Sequence, residues 1–183
     1  LRAPTTRAAM QLGWAFAFAA IGVGTHWLFI SLHQFGGLPA ALTVLAIALL
    51  AACLALLYAM AIGAAVRLAR RARSDTLAAL ITLPLCWMLA DWTRGWIFTG
   101  FSWLATGYAH NASPLAGYAP LIGVYGIGWL AALLAASLAL MLHQRAVHRI
   151  ALPLLIAIPA AGLGLQAAQW TTALGQPMSV RLL

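Results

Sequence analysis

The chain has 183 residues, of which 64% are hydrophobic and 7% charged, and its mean hydropathy is +0.96. That composition excludes a soluble monomer and indicates an integral membrane protein. The net charge of +8 rests on ten arginines, and their scatter between apolar runs leaves no basic patch for nucleic acid.

Five apolar runs follow one another: Ala8–Ile30, Ala40–Val66, Leu77–Phe98, Tyr118–Leu142 and Ile150–Ala168. Each meets or approaches the roughly 20 residues that a spanning helix needs. The first exceeds the roughly 7–15 residues of a signal-peptide core and has no clear cleavage site, so it reads as a retained helix. It passes into an aromatic stretch, Gly24–Pro39, closed by Gly36-Gly37-Leu38-Pro39, which is expected to lie along the membrane interface. Ala40–Val66 is longer than a bilayer requires and should tilt or protrude. Cys53 and Cys86 fall inside apolar runs without a neighbouring base, the setting of packed small hydrophobes rather than nucleophiles.

A second elaborate connection, Thr99–Gly117, carries Gly100, Gly107, Pro114 and Gly117 among aromatics. Such backbone is tolerated at membrane depth only against protein or a water-filled cavity. Gly128, Ala132 and Ala136 then form a small-residue stripe suited to close helix packing. Arg2, Arg7, Arg67, Arg70, Arg71, Arg73, Arg145 and Arg149 share one side if the helices alternate, while Arg94 and Arg181 fall opposite. By the positive-inside rule the amino terminus is cytoplasmic and the carboxyl terminus lies outside. The expected fold is thus an all-α integral membrane protein, a five-helix transmembrane bundle over residues 1–170. Residues 171–183 read as a linker, with Gln176–Leu183 the first strand of a further domain.

Chemistry concentrates in Trp87–Tyr118. Asp91 and Arg94 are three apart among Trp87, Trp92, Trp96 and Trp103, in a stretch otherwise free of charge. An acid and a base held in a bilayer mark a functional site or a mutually satisfied structural pair, and residue types leave both open. Histidine spacing argues against a metal: His143 and His148 point to different faces of a helix, and His26 and His33 would stand about 10 Å apart along one. No G-x-S-x-G elbow or phosphate loop occurs, so the sequence calls for no metal, no cofactor and no covalent catalyst within these residues.

Several separated motifs resemble the membrane domain of the apolipoprotein N-acyltransferases. They are Asp91-Trp-Thr-Arg-Gly-Trp96, Thr99-Gly-Phe-Ser-Trp103, Gly107-Tyr108, Pro114-Leu-Ala-Gly117 and Ala119-Pro-Leu-Ile-Gly-Val124, with Gly24-Thr-His-Trp27 and Phe35-Gly-Gly-Leu-Pro39 upstream. Ser102 stands where the family usually has proline, and Asp91 where it often has glutamate. The resemblance implies a multi-pass protein of the bacterial inner membrane joined to a periplasmic nitrilase-like domain with a Glu–Lys–Cys triad. Its cysteine takes an acyl chain from a phospholipid donor and passes it to the N-terminal amine of a diacylglyceryl apolipoprotein acceptor, a two-step covalent scheme. The triad would lie downstream of Leu183, leaving residues 1–183 inactive alone. The partners implied are those two substrates and membrane lipids, with no nucleic acid. Asp91, Arg94, Phe101, Trp103 and Tyr108 become the expected substrate-binding residues, Arg94 by attracting a headgroup and the aromatics by gripping acyl chains. A transporter or channel fragment would need polar residues at similar depth on several helices, and the other runs supply almost none. A purely anchoring module would tolerate substitution throughout Phe101–Tyr108.

Overall fold

The computed structural model describes residues 5–72, 75–143, 147–172, 175 and 179. Among them there are five long α-helices and no strand: α1 Thr6–Gly24, α2 Ala40–Ala69, α3 Asp75–Arg94, α4 Ala119–His143 and α5 His148–Gln166. Each packs against the next in sequence. Three segments are long and apolar enough to cross a membrane, namely Ala40–Ala69, Pro114–His143 and His148–Gln166. Together they identify a membrane protein. Arg2, Arg73, Arg145 and Arg181 lie outside the described residues, as does almost all of the expected strand at Gln176–Leu183.

The helices start and stop for local reasons. Thr5 caps α1 by accepting the Ala8 N–H at 3.1 Å. Thr25 ends it, its hydroxyl donating to the Ile21 carbonyl at 2.7 Å. The expected continuation to Ile30 is not helical in the same way: after a turn, Ile30–Phe35 winds as a single wide π-helical stretch. His33 Nδ1 then meets the Leu38 carbonyl oxygen at 2.7 Å, which ties this stretch to the start of α2.

α1, α2 and α3 meet on small residues. Ala17, Ala51, Ala55 and Ala90 are buried with Ile21 and Tyr58, so the backbones approach closely. A second cluster, of Leu80, Leu133, Ala136, Leu140, Val147 and Ala151, joins α3, α4 and α5. This packing places the α3 carboxyl end between α2 and α4.

Two further expectations about helix extent change. Leu77–Phe98 reads as one run, yet α3 stops at Arg94 and a short 3-10 turn, Ile97–Thr99, follows. Tyr118–Leu142 also reads as one run, but helical backbone breaks at Gly123, with φ 63° and ψ −173°. Only glycine adopts that conformation without a steric cost. The break lets the Val124 carbonyl face the backbone of Gly107, where a side chain would collide with it.

Candidate functional site

Asp91 and Arg94 sit one turn apart on the last stretch of α3, on the same face, and pair directly at 3.2 Å. Both are 1% exposed. A buried pair is sustained only if its remaining polar atoms are satisfied, and here they are. Tyr58, from the middle of α2, donates its hydroxyl to Asp91 Oδ1 and accepts from Arg94 Nε at 3.0 Å. Asp91 Oδ2 accepts the backbone N–H of Thr106 at 2.9 Å. Arg94 Nη1 donates to the carbonyls of Phe101, at 2.9 Å, and Trp103. The Phe101 N–H in turn donates to the Arg94 carbonyl at 2.7 Å. The rings of Tyr58 and Phe101 lie 5.9 Å from the guanidinium carbon and shield it further.

The segment so held is not relaxed. Phe98, Thr99 and Leu104 all have left-handed backbone, with φ of 52°, 79° and 63°. Each costs on the order of 1–3 kcal/mol in a residue with a side chain, so a surrounding structure must impose them. Arg94 and Asp91 grip the chain at Phe101, Trp103 and Thr106, between and just beyond these residues. Behind the loop, Gly128 of α4 leaves room for Thr106 and Gly107 and comes close to Asp91 Oδ2.

The grip determines what is displayed. Trp103 is 54% exposed, its ring tilted against Trp27 from the connection after α1 at 4.7 Å and against Phe101 at 5.9 Å. Leu104 fits over Gly24, where any side chain would displace it. Phe101 is half-buried, and Phe98 is almost wholly exposed. Tyr108 stands exposed on the 3-10 turn Thr106–His110, outside the polar network.

Of the residues singled out from sequence, the structure brings Asp91, Arg94, Phe101 and Trp103 together and places Tyr108 just beyond. The Arg94 guanidinium is buried, with its donors turned to Asp91, Tyr58 and the carbonyls of Phe101 and Trp103. Tyr58 and Thr106 complete the network and were not singled out. Tyr58 had a signal, since it is the one phenol in Ala40–Val66 and a hydroxyl at such depth needs a partner. Thr106 contributes through its backbone N–H, which no residue type announces.

An apolar groove of about 570 Å³ opens beside this network. Ala132, Ala136 and Leu140 of α4 and Leu83 and Trp87 of α3 line it, with Thr106 and His110 at one end. Trp87 Nε1 donates to Thr106 Oγ at 2.8 Å, so the groove and the loop share a wall. Near the same end, Ser113 Oγ lies 3.5 Å from His110 Nδ1. The Ser113 hydroxyl donates to the His110 carbonyl at 3.0 Å and accepts the Leu115 N–H at 3.2 Å, capping the turn Pro114–Tyr118. Among the described residues no three His, Cys, Asp or Glu side chains gather.

Comparison with known proteins gives consistent matches. The family model described as the apolipoprotein N-acyltransferase N-terminal domain matches residues 1–137. An apolipoprotein N-acyltransferase of Ralstonia nicotianae is 41% identical over 182 residues, covering 100% of this chain and 35% of the relative. One from Nitrosomonas europaea is 43% identical over 183 residues, covering 100% and 36%. One from Bordetella bronchiseptica is 42% identical over 197 residues, with the same coverage as the second. The chain therefore spans about a third of the length of these curated relatives.

Proposed function

The chain belongs to the apolipoprotein N-acyltransferase family, and on that premise we propose that it is the lipid-handling membrane part of an enzyme that acylates bacterial lipoproteins. The donor is a phospholipid and the acceptor the N-terminal amine of a diacylglyceryl-cysteine. The chemistry belongs to a nitrilase-like portion of the full-length enzyme. All five helices cross the inner membrane, with the Arg67–Arg71 connection in the cytoplasm and Thr99–Gly117 on the periplasmic side. The arginine distribution supports that orientation.

Within this reading Phe101, Trp103 and Tyr108 meet the lipid, while Asp91 and Arg94 act from behind by holding the loop. The single observation that carries it is the buried clamp on a strained, aromatic loop. Strain of that kind persists where a fixed display is required. An amphipathic ring such as Trp103 suits the boundary, since its faces meet acyl chains and its edge meets headgroups. The adjoining groove falls within the roughly 300–1,000 Å³ of ordinary ligand sites and takes an acyl tail with its head at Thr106 and His110.

The test uses the full-length protein in phospholipid vesicles containing a phospholipid with a photoactivatable acyl chain. Crosslinks should concentrate in Phe101–Tyr108 and on the α4 face Ala132–Leu140. Crosslinks spread evenly over the lipid-exposed faces of α2 and α5, with none enriched in those segments, would refute the reading.

A further inference from the structure

Tyr58 lies on α2, away from the aromatic loop, yet it touches both charges that hold that loop. Arginine and carboxylate ordinarily prefer a bidentate arrangement with two parallel hydrogen bonds. In this site they do not reach it: Arg94 reaches Asp91 only through Nη2, 3.2 Å from Oδ1, while its Nε donates to the Tyr58 hydroxyl, which itself donates to the same Oδ1. The arrangement leaves Nη1 for the carbonyls of Phe101 and Trp103. It also leaves Oδ2 for the Thr106 N–H.

We infer that Tyr58 is a positioning residue, whose hydroxyl keeps Arg94 from collapsing onto Asp91 and so holds the Phe101–Thr106 loop in its displayed form. Without the hydroxyl, the guanidinium turns toward the carboxylate and releases one or both carbonyls. The three left-handed residues around them then relax, and Trp103 leaves its seat on Trp27. The phenol ring keeps its packing in this change, since its contact with Trp87 at 4.8 Å and its burial do not depend on the oxygen. The effect on the loop rests on this geometry alone; the effect on lipid transfer rests on the function proposed above.

The experiment is Tyr58→Phe in the full-length protein, with Ser102→Cys as a reporter in a Cys53→Ala, Cys86→Ala background. Ser102 lies between the two clamped carbonyls and is half-buried. Loss of the two hydrogen bonds to charged groups should raise maleimide labelling at that position roughly tenfold. The KM for the phospholipid donor should rise by a similar factor. Arg94→Lys, which keeps the charge but whose single ammonium cannot serve Asp91, Tyr58 and both carbonyls together, should label as fast. Labelling at the parental rate in Tyr58→Phe, or failure of that variant to accumulate, would overturn the inference. Faster labelling with unchanged donor kinetics would uphold Tyr58 as the loop's positioner and refute instead the role of the loop in lipid contact.

Discussion

The loop around Phe101–Thr106 and the turn Pro114–Tyr118 lie about ten residues apart, yet they are fixed by different physics. The loop is gripped by directional, charge-assisted bonds from Asp91 and Arg94, with Tyr58 setting their angle. The turn is fixed by close backbone approach: a side chain on Gly117 would strike the Gly162 carbonyl, and one on Gly162 the Pro114 carbonyl. Tyr118 adds a bond to the Ile158 carbonyl and Gln166 one to the Ser113 carbonyl, each at 2.9 Å. Left-handed backbone among residues with side chains occurs around the loop and not in the turn. Close packing serves where the chain is content with its shape. Ionic clamping serves where the chain must be kept in a shape it would leave.

The sharpest way to break this contrast is to remove one charge. Arg94→Ala strands a buried carboxylate and should cost about 3–5 kcal/mol, enough to abolish accumulation or lower the melting temperature severely. Removing both charges, with Asp91→Asn and Arg94→Gln, should restore much of the accumulation, because no ion is left unpaired. The carbonyls of Phe101 and Trp103 still lose their donor, so transfer by the purified full-length double variant should stay slow. Full activity in that variant would reduce the pair to scaffolding. At the packed joint, Gly162→Ala should cost about 1–3 kcal/mol through overpacking, read as a lower melting temperature with activity per folded molecule retained. Smallest is Tyr118→Phe, which removes one neutral hydrogen bond and should cost about 1 kcal/mol with no change in donor kinetics.

The clamp was half legible in the sequence. Asp91 and Arg94 announce themselves by charge and by a spacing that makes them neighbours on a helix. Their targets do not, because backbone carbonyls and N–H groups look alike at every position. Tyr58 could have been found by asking what a lone phenol does in an apolar run. The helix break at Gly123 was hidden, since glycine is common in this chain and Tyr118–Leu142 is apolar throughout. What selects Gly123 is the tertiary contact of Val124 with Gly107, which no local pattern contains.

Trp103 and Trp170 are similarly exposed, at 54% and 45%, and differ in what stands behind them. Trp103 is displayed by the clamped loop, whereas Trp170 follows α5 and, among the described residues, bonds to the nearby Leu165 carbonyl. The most direct measurement is acyl transfer from phospholipid by the full-length protein carrying Trp103→Ala or Trp170→Ala, at matched protein level. The account predicts that Trp103→Ala slows transfer by at least about tenfold, the loss of one well-placed binding contact, while Trp170→Ala stays near the parental rate. Equal rates for the two variants would contradict it.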